Sequence, residues 1–545
     1  RAYGEAAKAI ARKIVLEGNI QGNKPEEKIT RLEAELARAP QELAPLLQTL
    51  LANWYWHYFQ NNRWRFLQRT PTVQAPGKDF TTWDLPRLFT EIDRHFTKAL
   101  SATDILKKTP VTRFDDLLEK GTLPDRYRPT LFDFIAHEAL KFYSSAEQAA
   151  AKPQDAFELS ADQPIFGLVP LFGTIDEFIA GKIERRAEES SAEKAFFLFR
   201  DLLAFHRNDP EPTALADVDL ARLAWAYNTA FGEDKTARYK TALKAFADKW
   251  ADHEVSALAL HHWAQVIQGE GDWAQARALA QRGENAHRNS VGGRLCHNLI
   301  AEIEASSSNI TTERVWNAPL PRIAVRYRNL THVYFRAVAS DWNQFLGRGR
   351  SRPEYLNEQE RRELLAKAPT LEWATDLPPT PNFKERVEEL PAPASLKPGF
   401  YFLIASHNAD FSEVDNQVTF TDVWVSDLAL VVRPDNGKIE GFVLEAASGE
   451  PIRSAEVMAW SVDNNGSRVS NGPAASTDEN GLFSIGASDN RGSLLRVRAR
   501  IGGVQQELGS MQEYWSYRAN PPEPHSQTLF FTDRALYRPG QTIQY

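Results

Sequence analysis

The sequence predicts a multidomain chain: an all-α helical array, irregular and solenoid-like, over residues 1–312, followed by all-β sandwiches. Three observations predict it. Apolar residues recur at helical spacing through the first half, and from about residue 320 they alternate with a period of two. Clusters of Gly, Pro, Asn and Asp then punctuate the second half at intervals that suit short strands. A chain of 545 residues also exceeds one core, and at about 150 residues per domain it holds three or four units.

In the first half, Leu43, Leu46, Leu47, Leu50, Leu51, Trp54 and Tyr58 fall on one helical face. Leu260, Trp263 and Ile267 form another. Gly269-Glu270-Gly271 breaks that helix, Asp272 offers a side chain to cap the next, and Ala276, Leu279 and Ala280 resume the pattern. Leu295, Leu299 and Ile303 continue it. Helix pairs joined by Gly/Asp turns resemble a solenoid of tetratricopeptide type, but no fixed repeat runs through the half, so an irregular array is expected.

The second half is written in strands. Ile323, Val325 and Tyr327 alternate with Ala324 and Arg326, and Leu495, Val497, Ala499 and Ile501 alternate with Arg496, Arg498 and Arg500. The latter pattern predicts a strand with one wet, arginine-bearing face. The long β-rich run Val418–Val432 shifts its apolar phase near Asp422 and again near Ser426-Asp427, which predicts a bulge or a change of sheet. Residues 341–395 are polar and then Pro-rich through Leu377-Pro378-Pro379-Thr380-Pro381, with a helix expected over Asn357–Ala368. They read as an excursion between early and late strands of one sandwich, with an interdomain linker as the alternative.

Composition excludes several function classes. The formal net charge is −8, whereas duplex binding draws most of its affinity from a basic face, so nucleic acid is not an expected partner. No apolar run approaches the roughly 20 residues of a membrane helix. The one cysteine, Cys296, rules out an internal disulfide framework and a Cys-rich metal site. A metallopeptidase helix needs a second His four residues after the first; His137-Glu138 and His253-Glu254 are followed at that distance by Lys141 and Ala257. His261 and His262 are adjacent and lack a carboxylate at ligand spacing. Gly347-Arg348-Gly349 is a loop rather than a dinucleotide fingerprint, and Asp463-Asn464-Asn465-Gly466 reads as a hairpin turn because a calcium loop's downstream Glu is missing. In Arg63-Trp64-Arg65-Phe66 basic stems are expected to cover aromatic surface. Cys296 and His297 point about 100° apart on a helix, so a buried structural thiol is expected in place of a nucleophile–base pair. No catalytic residue, cofactor site or metal site is assigned, and the chain is expected not to be an enzyme.

The most specific signal is C-terminal. Phe530-Phe531-Thr532-Asp533-Arg534-Ala535-Leu536-Tyr537-Arg538-Pro539-Gly540-Gln541-Thr542 reads as a strand entering a tight turn, Pro539 fixing φ and Gly540 supplying the positive φ of a type II turn. Thr542-Ile543-Gln544-Tyr545 then begins another strand, so the chain is expected to stop inside its last module. Thr532, Asp533, Arg534, Tyr537, Arg538, Pro539, Gly540 and Gln541 closely resemble the opening of the second macroglobulin-like domain of the alpha-2-macroglobulin family. Upstream, Leu396-Lys397-Pro398-Gly399-Phe400-Tyr401-Phe402-Leu403 and Val423-Trp424-Val425-Ser426-Asp427-Leu428 look like the late hairpin and closing strand of the first such domain. Gly441-Phe442-Val443, Ser448-Gly449-Glu450-Pro451, Ala455-Glu456-Val457 and Thr477-Asp478-Glu479-Asn480-Gly481-Leu482-Phe483 are similar to carboxypeptidase-regulatory-like modules. Asn62-Arg63-Trp64-Arg65-Phe66, Thr81-Thr82-Trp83-Asp84 and Tyr127-Arg128-Pro129-Thr130-Leu131 more loosely resemble the extended N-terminal region of large bacterial members.

The resemblance implies four parts: the helical region at 1–312, a first macroglobulin-like, immunoglobulin-like sandwich at 313–435, a prealbumin-like regulatory module at 436–525, and the start of the next macroglobulin-like domain at 526–545. It implies the N-terminal, non-catalytic part of a broad-spectrum protease trap, with target proteases engaged by regions beyond Tyr545 and a protein partner on the helical region. It implies a periplasmic or extracellular location, with lipid anchoring as one mode of attachment. A family thioester needs Gln three residues after its Cys; position 299 is Leu299, so Cys296 is not that site. A cell-surface or periplasmic scaffold or adhesin built from the same modules is the alternative, and a helical-domain enzyme with an aromatic-lined cleft is a third.

Overall fold

Several helices of the first half start where a side chain takes up free backbone N–H groups of the first turn. A computed structural model describes residues 3–20, 25–69, 77, 79–115, 118, 121–148, 170–183, 189–230, 232–347, 355–462, 468–469, 472–486, 492–510, 512–515, 527 and 531. It divides into two compact units, Arg1–Ile303 and Glu304–Tyr545. As the sequence predicts, the first is helical and the second is built of sheets, antiparallel except where the short β2 runs parallel to β8.

Unit 1 contains α1 (Tyr3–Ile20), α2 (Pro25–Leu36), α3 (Ala44–Asn61), α4 (Arg63–Leu67), α5 (Leu85–Leu100), α6 (Thr103–Lys108) and α7 (Leu131–Tyr143). It continues with α8 (Ile175–Ala180), α9 (Ser191–His206), α10 (Thr213–Thr229), α11 (Lys235–Lys249), α12 (Val255–Gly269), α13 (Trp273–His287) and α14 (Val291–Glu304). Capping boxes open three of them: Thr130 with Asp133, Thr174 with Glu177, and Ser190 with Glu193. Asp84 caps α5, and Asp272 caps α13 by accepting from the Gln275 N–H.

α3 carries the expected apolar face but is buried on more than one side. Leu46, Leu47, Leu51, Tyr58 and also Ala52, Tyr55 and Phe59 are within the core, because α2, α5 and α7 all pack on it. The aromatic reserve is spent here: Trp56, Phe59, Phe89 and Phe142 sit ring to ring at 5.1–5.6 Å. At the other end α12, α13 and α14 form a tight set. Gly292 has its reason in that closeness, since a Cβ there would come within 2.2 Å of the Leu258 N on α12.

Unit 2 opens with β1 (Ser307–Thr311), β2 (Val315–Trp316), β3 (Arg322–Arg328) and β4 (His332–Ala339), then α15 (Trp342–Gly347) and α16 (Glu358–Ala366). β5 (Leu371–Asp376), β6 (Arg386–Pro391), β7 (Gly399–Ser406) and β8 (Val418–Val425) follow. A three-stranded sheet β1-β3-β6 faces a five-stranded sheet β2-β8-β7-β4-β5 across a core of Trp316, Ile323, Val325, Tyr327, Phe335 and Leu403. The expected strand around Ile323 is fully realised: Ile323, Val325 and Tyr327 are completely buried.

The chain then changes sheets. β9 (Leu428–Asp435) leaves β8 at Ser426-Asp427, where the apolar phase shifts, and pairs with β10 (Lys438–Glu445). β11 (Glu456–Val462), β12 (Arg468–Val469), β13 (Ala474–Ser476), β14 (Leu482–Gly486), β15 (Ser493–Ile501) and β16 (Val504–Gly509) complete the unit. Sheet β14-β10-β9 stands against sheet β12-β11-β15-β16, with β13 also on β11. Ile439, Val443, Val457, Phe483, Leu495 and Val497 fill the space between them.

Two expectations need correction. The stretch 341–395 is not simply an excursion: β5 pairs with β4 and β6 with β3, so its Pro-rich run carries the chain from one sheet to the other. Arg496 is not on a wet face. It is 6% exposed, while Arg500 is exposed. The face it shares with Trp460, Leu494 and Gly509 is covered near its start by α15, whose Trp342 meets Trp460 and would sit 2.7 Å from a Cβ at Gly509. Only Arg498, paired with Glu507, and Arg500 behave as the alternation predicts.

Candidate functional site

α5, α6, α7 and α9 enclose an open cleft of about 1060 Å³ in the helical unit. Its apolar surface comes from Phe132, Phe197 and Phe205, its polar surface from Asp93, Tyr143, Lys194 and the carboxylates Glu189 and Asp201. Asp93 accepts from the Tyr143 hydroxyl at 2.9 Å and from Lys194 Nζ at 2.6 Å, so its charge is answered within the wall. Burial, then the Asp93 carboxylate, holds the Tyr143 phenol well above its ordinary range. Lys107 differs. Its ammonium lies 4.8 Å from the ring centres of both Phe132 and Phe205, and it has no carboxylate partner among the described residues. Phe132 and Phe197 are buried and Phe205 is half-buried, so the Lys107 ammonium rests on a largely covered aromatic floor.

A second group combines metal-ligand residue types. Donor atoms of Glu33, Glu91 and His95 lie within 4.8 Å of one another. Each is already engaged. The Tyr55 hydroxyl donates to Glu33 at 2.7 Å, the Arg94 guanidinium donates to Glu91, and His95 Nδ1 meets the Gln48 side-chain oxygen. Burial alone would raise the Glu91 carboxyl, but hydrogen bonds from His95 and Arg94 bring it down to about 2. A guanidinium thus supplies the positive charge that a cation would bring, and the group closes as an internal network.

A third set lies on α7. Asp133, at the third helical position, accepts from the Thr130 N–H at 2.9 Å and the Thr130 hydroxyl at 2.7 Å. Its other oxygen stands 2.6 Å from His206 Nε2, and His206 Nδ1 stands 2.6 Å from Asp209. Burial opposes charge on His206, yet the bonds to Asp133 and then Asp209 raise the imidazole above 6.5. One turn on, His137 faces Asp217 of α10, which Arg128 of the preceding loop also approaches. That loop is anchored beyond by Tyr127, whose hydroxyl donates to Glu254 at 2.8 Å.

The residues singled out in the sequence fall as follows. The motif Thr532, Asp533, Arg534, Tyr537, Arg538, Pro539, Gly540 and Gln541 lies outside the described residues, as do Asp463-Asn464-Asn465-Gly466 and Arg348-Gly349. Phe66 is buried and covered by the Arg69 guanidinium at 5.0 Å, but Trp64 is 68% exposed on α4. Cys296 is buried, its Sγ 3.4 Å from the Ala257 carbonyl, and burial followed by the Glu284 charge pushes the thiol up to about 12. His297 turns away to Glu284 at 3.0 Å. His261 and His262 have unpartnered Nδ1 atoms and are lowered by burial, His262 to about 4. The cleft and the α7 network were missed in the sequence, since their members lie on helices up to about a hundred residues apart.

No family model matches the chain, and no curated protein matches it. Among solved structures it is similar to native alpha-2-macroglobulin from Escherichia coli spanning domains NIE-MG1: 15% identical, TM-score 0.29, covering 38% of this chain and 97% of that one. A second piece of the same protein, spanning MG0-NIE-MG1, is 16% identical with a TM-score of 0.28, covering 37% of this chain and 63% of that one. The chain therefore spans less than two thirds of the longer piece. By fold it is a helical unit followed by antiparallel sandwiches. The protein it is similar to is a bacterial alpha-2-macroglobulin, the family its C-terminal motif resembles. At this identity no residue role is transferred.

Proposed function

We propose that the chain is the non-catalytic, N-terminal part of an alpha-2-macroglobulin-like inhibitor that encloses proteases. The observation that carries the reading is the contiguous motif from Thr532 to Gln541, placed after a helical unit and two consecutive sandwiches. The parts on this reading are the helical region, ending near 304 rather than 312 because β1 already pairs in the first sandwich, a first macroglobulin-like sandwich to about 435, a carboxypeptidase-regulatory-like module at about 436–525 and the next macroglobulin-like domain from 526. β9 is the hand-over strand from one sandwich to the next. Sheets commit their backbone N–H and C=O groups to one another, which suits a scaffold that survives beside a protease.

The helical unit on this reading docks a protein partner in the cleft around Lys107, and the protein works in the periplasm or outside the cell, free or lipid-anchored. Among the described residues no helix is long and apolar enough to cross a membrane.

Trapping has a distinctive signature. The whole protein that contains this chain is incubated with serine, cysteine and metallo-endopeptidases, and each enzyme is assayed on a protein substrate and on a short peptide. Enclosure predicts lost cleavage of the protein substrate with the peptide still turned over. Unchanged activity on both rejects the trap and leaves the surface scaffold; loss of both points to active-site blockade instead.

A further inference from the structure

We propose that His137 and Asp217 form a buried site for a single shared proton, joining α7 to α10. His137 Nδ1 lies 2.8 Å from the Asp133 carbonyl oxygen. A carbonyl only accepts, so Nδ1 carries the hydrogen and Nε2 of the neutral ring is left with a lone pair. That lone pair faces Asp217 Oδ2 at 3.8 Å, and Arg128 Nε lies 3.5 Å from the same oxygen. All three atoms are buried and have no hydrogen-bond partner. His137 and Asp217 are each 6% exposed. Two acceptors thus face each other in the core at 3.8 Å, and a proton on either lets them close to hydrogen-bond distance, where bare acceptors repel.

The charges around the pair favour one proton rather than none or two. On α7 it is faced by Asp133 and, further out, Lys141; from the loop by Arg128 and Tyr127. On α9 His206 takes up the charge of Asp133. Glu254 at the start of α12 is held by Arg126 and Tyr127, and Glu211 and His253 engage Thr213. Burial, then Arg128, lowers the imidazole to about 4, while burial raises the Asp217 carboxyl to about 6 against the pull of Arg128.

The sign follows for each partner. A depressed histidine binds fewer protons folded than unfolded between about 4 and 6.5, so alone it makes stability rise with pH. A raised carboxyl binds more protons folded between about 3.8 and 6, so alone it makes stability fall with pH. Together the two slopes nearly cancel, since one proton is held in either state.

The test follows the midpoint of the helical unit's thermal transition in the full chain from pH 4 to 6.5, for the wild type, Asp217→Asn, His137→Asn and the double variant. The two single variants are expected to shift the pH slope in opposite directions relative to wild type. Asp217→Asn steepens the rise with pH, and His137→Asn adds a fall, each by about a hundredfold in the unfolding equilibrium across two pH units. The double variant returns to the wild-type slope. Single variants that keep the wild-type slope, or change it in the same direction, overturn the proposal; that is the result expected if a water molecule bridges the pair. Where a variant does not fold, the ¹⁵N-histidine spectrum of the wild type decides. A His137 ring that stays neutral while its Nε2 resonance moves near pH 6 supports the shared proton, and a ring that itself becomes charged near 6.5 overturns it.

Discussion

The two units bury different kinds of polar group. In the helical unit the core holds Glu91, His95, Asp133, His137, Glu193, His206, Asp217, Asp219, Arg222 and Glu284. In the sandwich unit the buried polar residues are mostly hydroxyls, among them Ser308, Thr380, Ser406, Ser426, Ser461, Thr477 and Ser493, with Asp422, Glu360 and Arg496 as ionisable exceptions. The difference follows from how each architecture satisfies its backbone. A strand in a sheet gives its N–H and C=O groups to its neighbours, and its inward side chains are free to be apolar. Every helix leaves unsatisfied groups at its ends. Where several helices end inside the same core, as α7 and α9 begin against their neighbours, the capping carboxylates Asp133 and Glu193 are carried in with them. A buried carboxylate then requires a partner, and His206 provides one.

The comparison breaks first under core truncation. Phe335 is fully buried and stacks on Trp373 at 5.0 Å, in a core with almost no polar content. Phe335→Ala is expected to cost about 3–5 kcal/mol and to lower the sandwich transition alone in calorimetry of the full chain. In the helical unit the matching loss comes from a charge. Arg222, 1% exposed, donates to Asp219 and to the Leu171 and Gly173 carbonyls, and its guanidinium lies 4.9 Å from the centre of the Phe178 ring. Arg222→Met fills similar volume but strands Asp219, at about 3–5 kcal/mol, and lowers the helical transition alone. Adding Asp219→Leu should recover a large part of that loss, whereas no polar substitution should rescue Phe335→Ala.

Acid sharpens the same contrast. Burial would raise Asp133, but bonds from His206 and Thr130 lower it, and Glu91 is brought down to about 2. Depressed carboxyls stabilise above their unfolded values near 3.8–4.5 and lose that contribution as pH falls. His206, raised in the fold, stabilises below 6.5 and loses that contribution as pH climbs above it. Burial lowers His261 and brings His262 to about 4, and both favour the fold as pH rises to about 6.5. The helical transition is therefore expected to have its highest midpoint near pH 6.5, with the sandwich transition moving less across pH 3–8. A sandwich midpoint that moves as far would show that buried charge does not separate the units.

How much was legible in the sequence divides along the same line. Alternation at Ile323, Val325 and Tyr327, the cap at Asp272 and the change of sheet at Ser426-Asp427 are local properties of the chain, and they appear in the structure where expected. Arg496 failed because its exposure depends on α15, which arrives from about 150 residues upstream to cover that face. β5 and β6 were hidden by their polar, half-exposed patterns, as edge strands of their sheets. The His137–Asp217 pair failed for a related reason. A search for a metal-binding helix inspects position 141, whereas the acidic partner sits 80 residues on and reaches His137 only when α10 packs against α7. Motifs that live within one element can be read directly; sites made between helices need the packing.

The smallest expected effect on stability falls on the cleft around Lys107. Lys107 sits over Phe132 and Phe205 without an ion pair, so Lys107→Glu forfeits a cation–π contact of about 1 kcal/mol at most and no buried bond. Both transitions should stay within a few degrees of the wild type. The cleft, however, loses the Lys107 positive charge and gains a negative one in a lining that already includes Asp93, Glu189 and Asp201. If the cleft receives an acidic, apolar segment, binding of such a peptide to the chain, followed by fluorescence anisotropy, should fall by tenfold or more in Lys107→Glu and weaken with salt in the wild type. Trp64→Ser, on an exposed helix outside the cleft, serves as the control and should leave that binding unchanged. Equal binding by the wild type and Lys107→Glu would remove the cleft as the docking site, and would leave the helical unit's buried charges as matters of its stability alone.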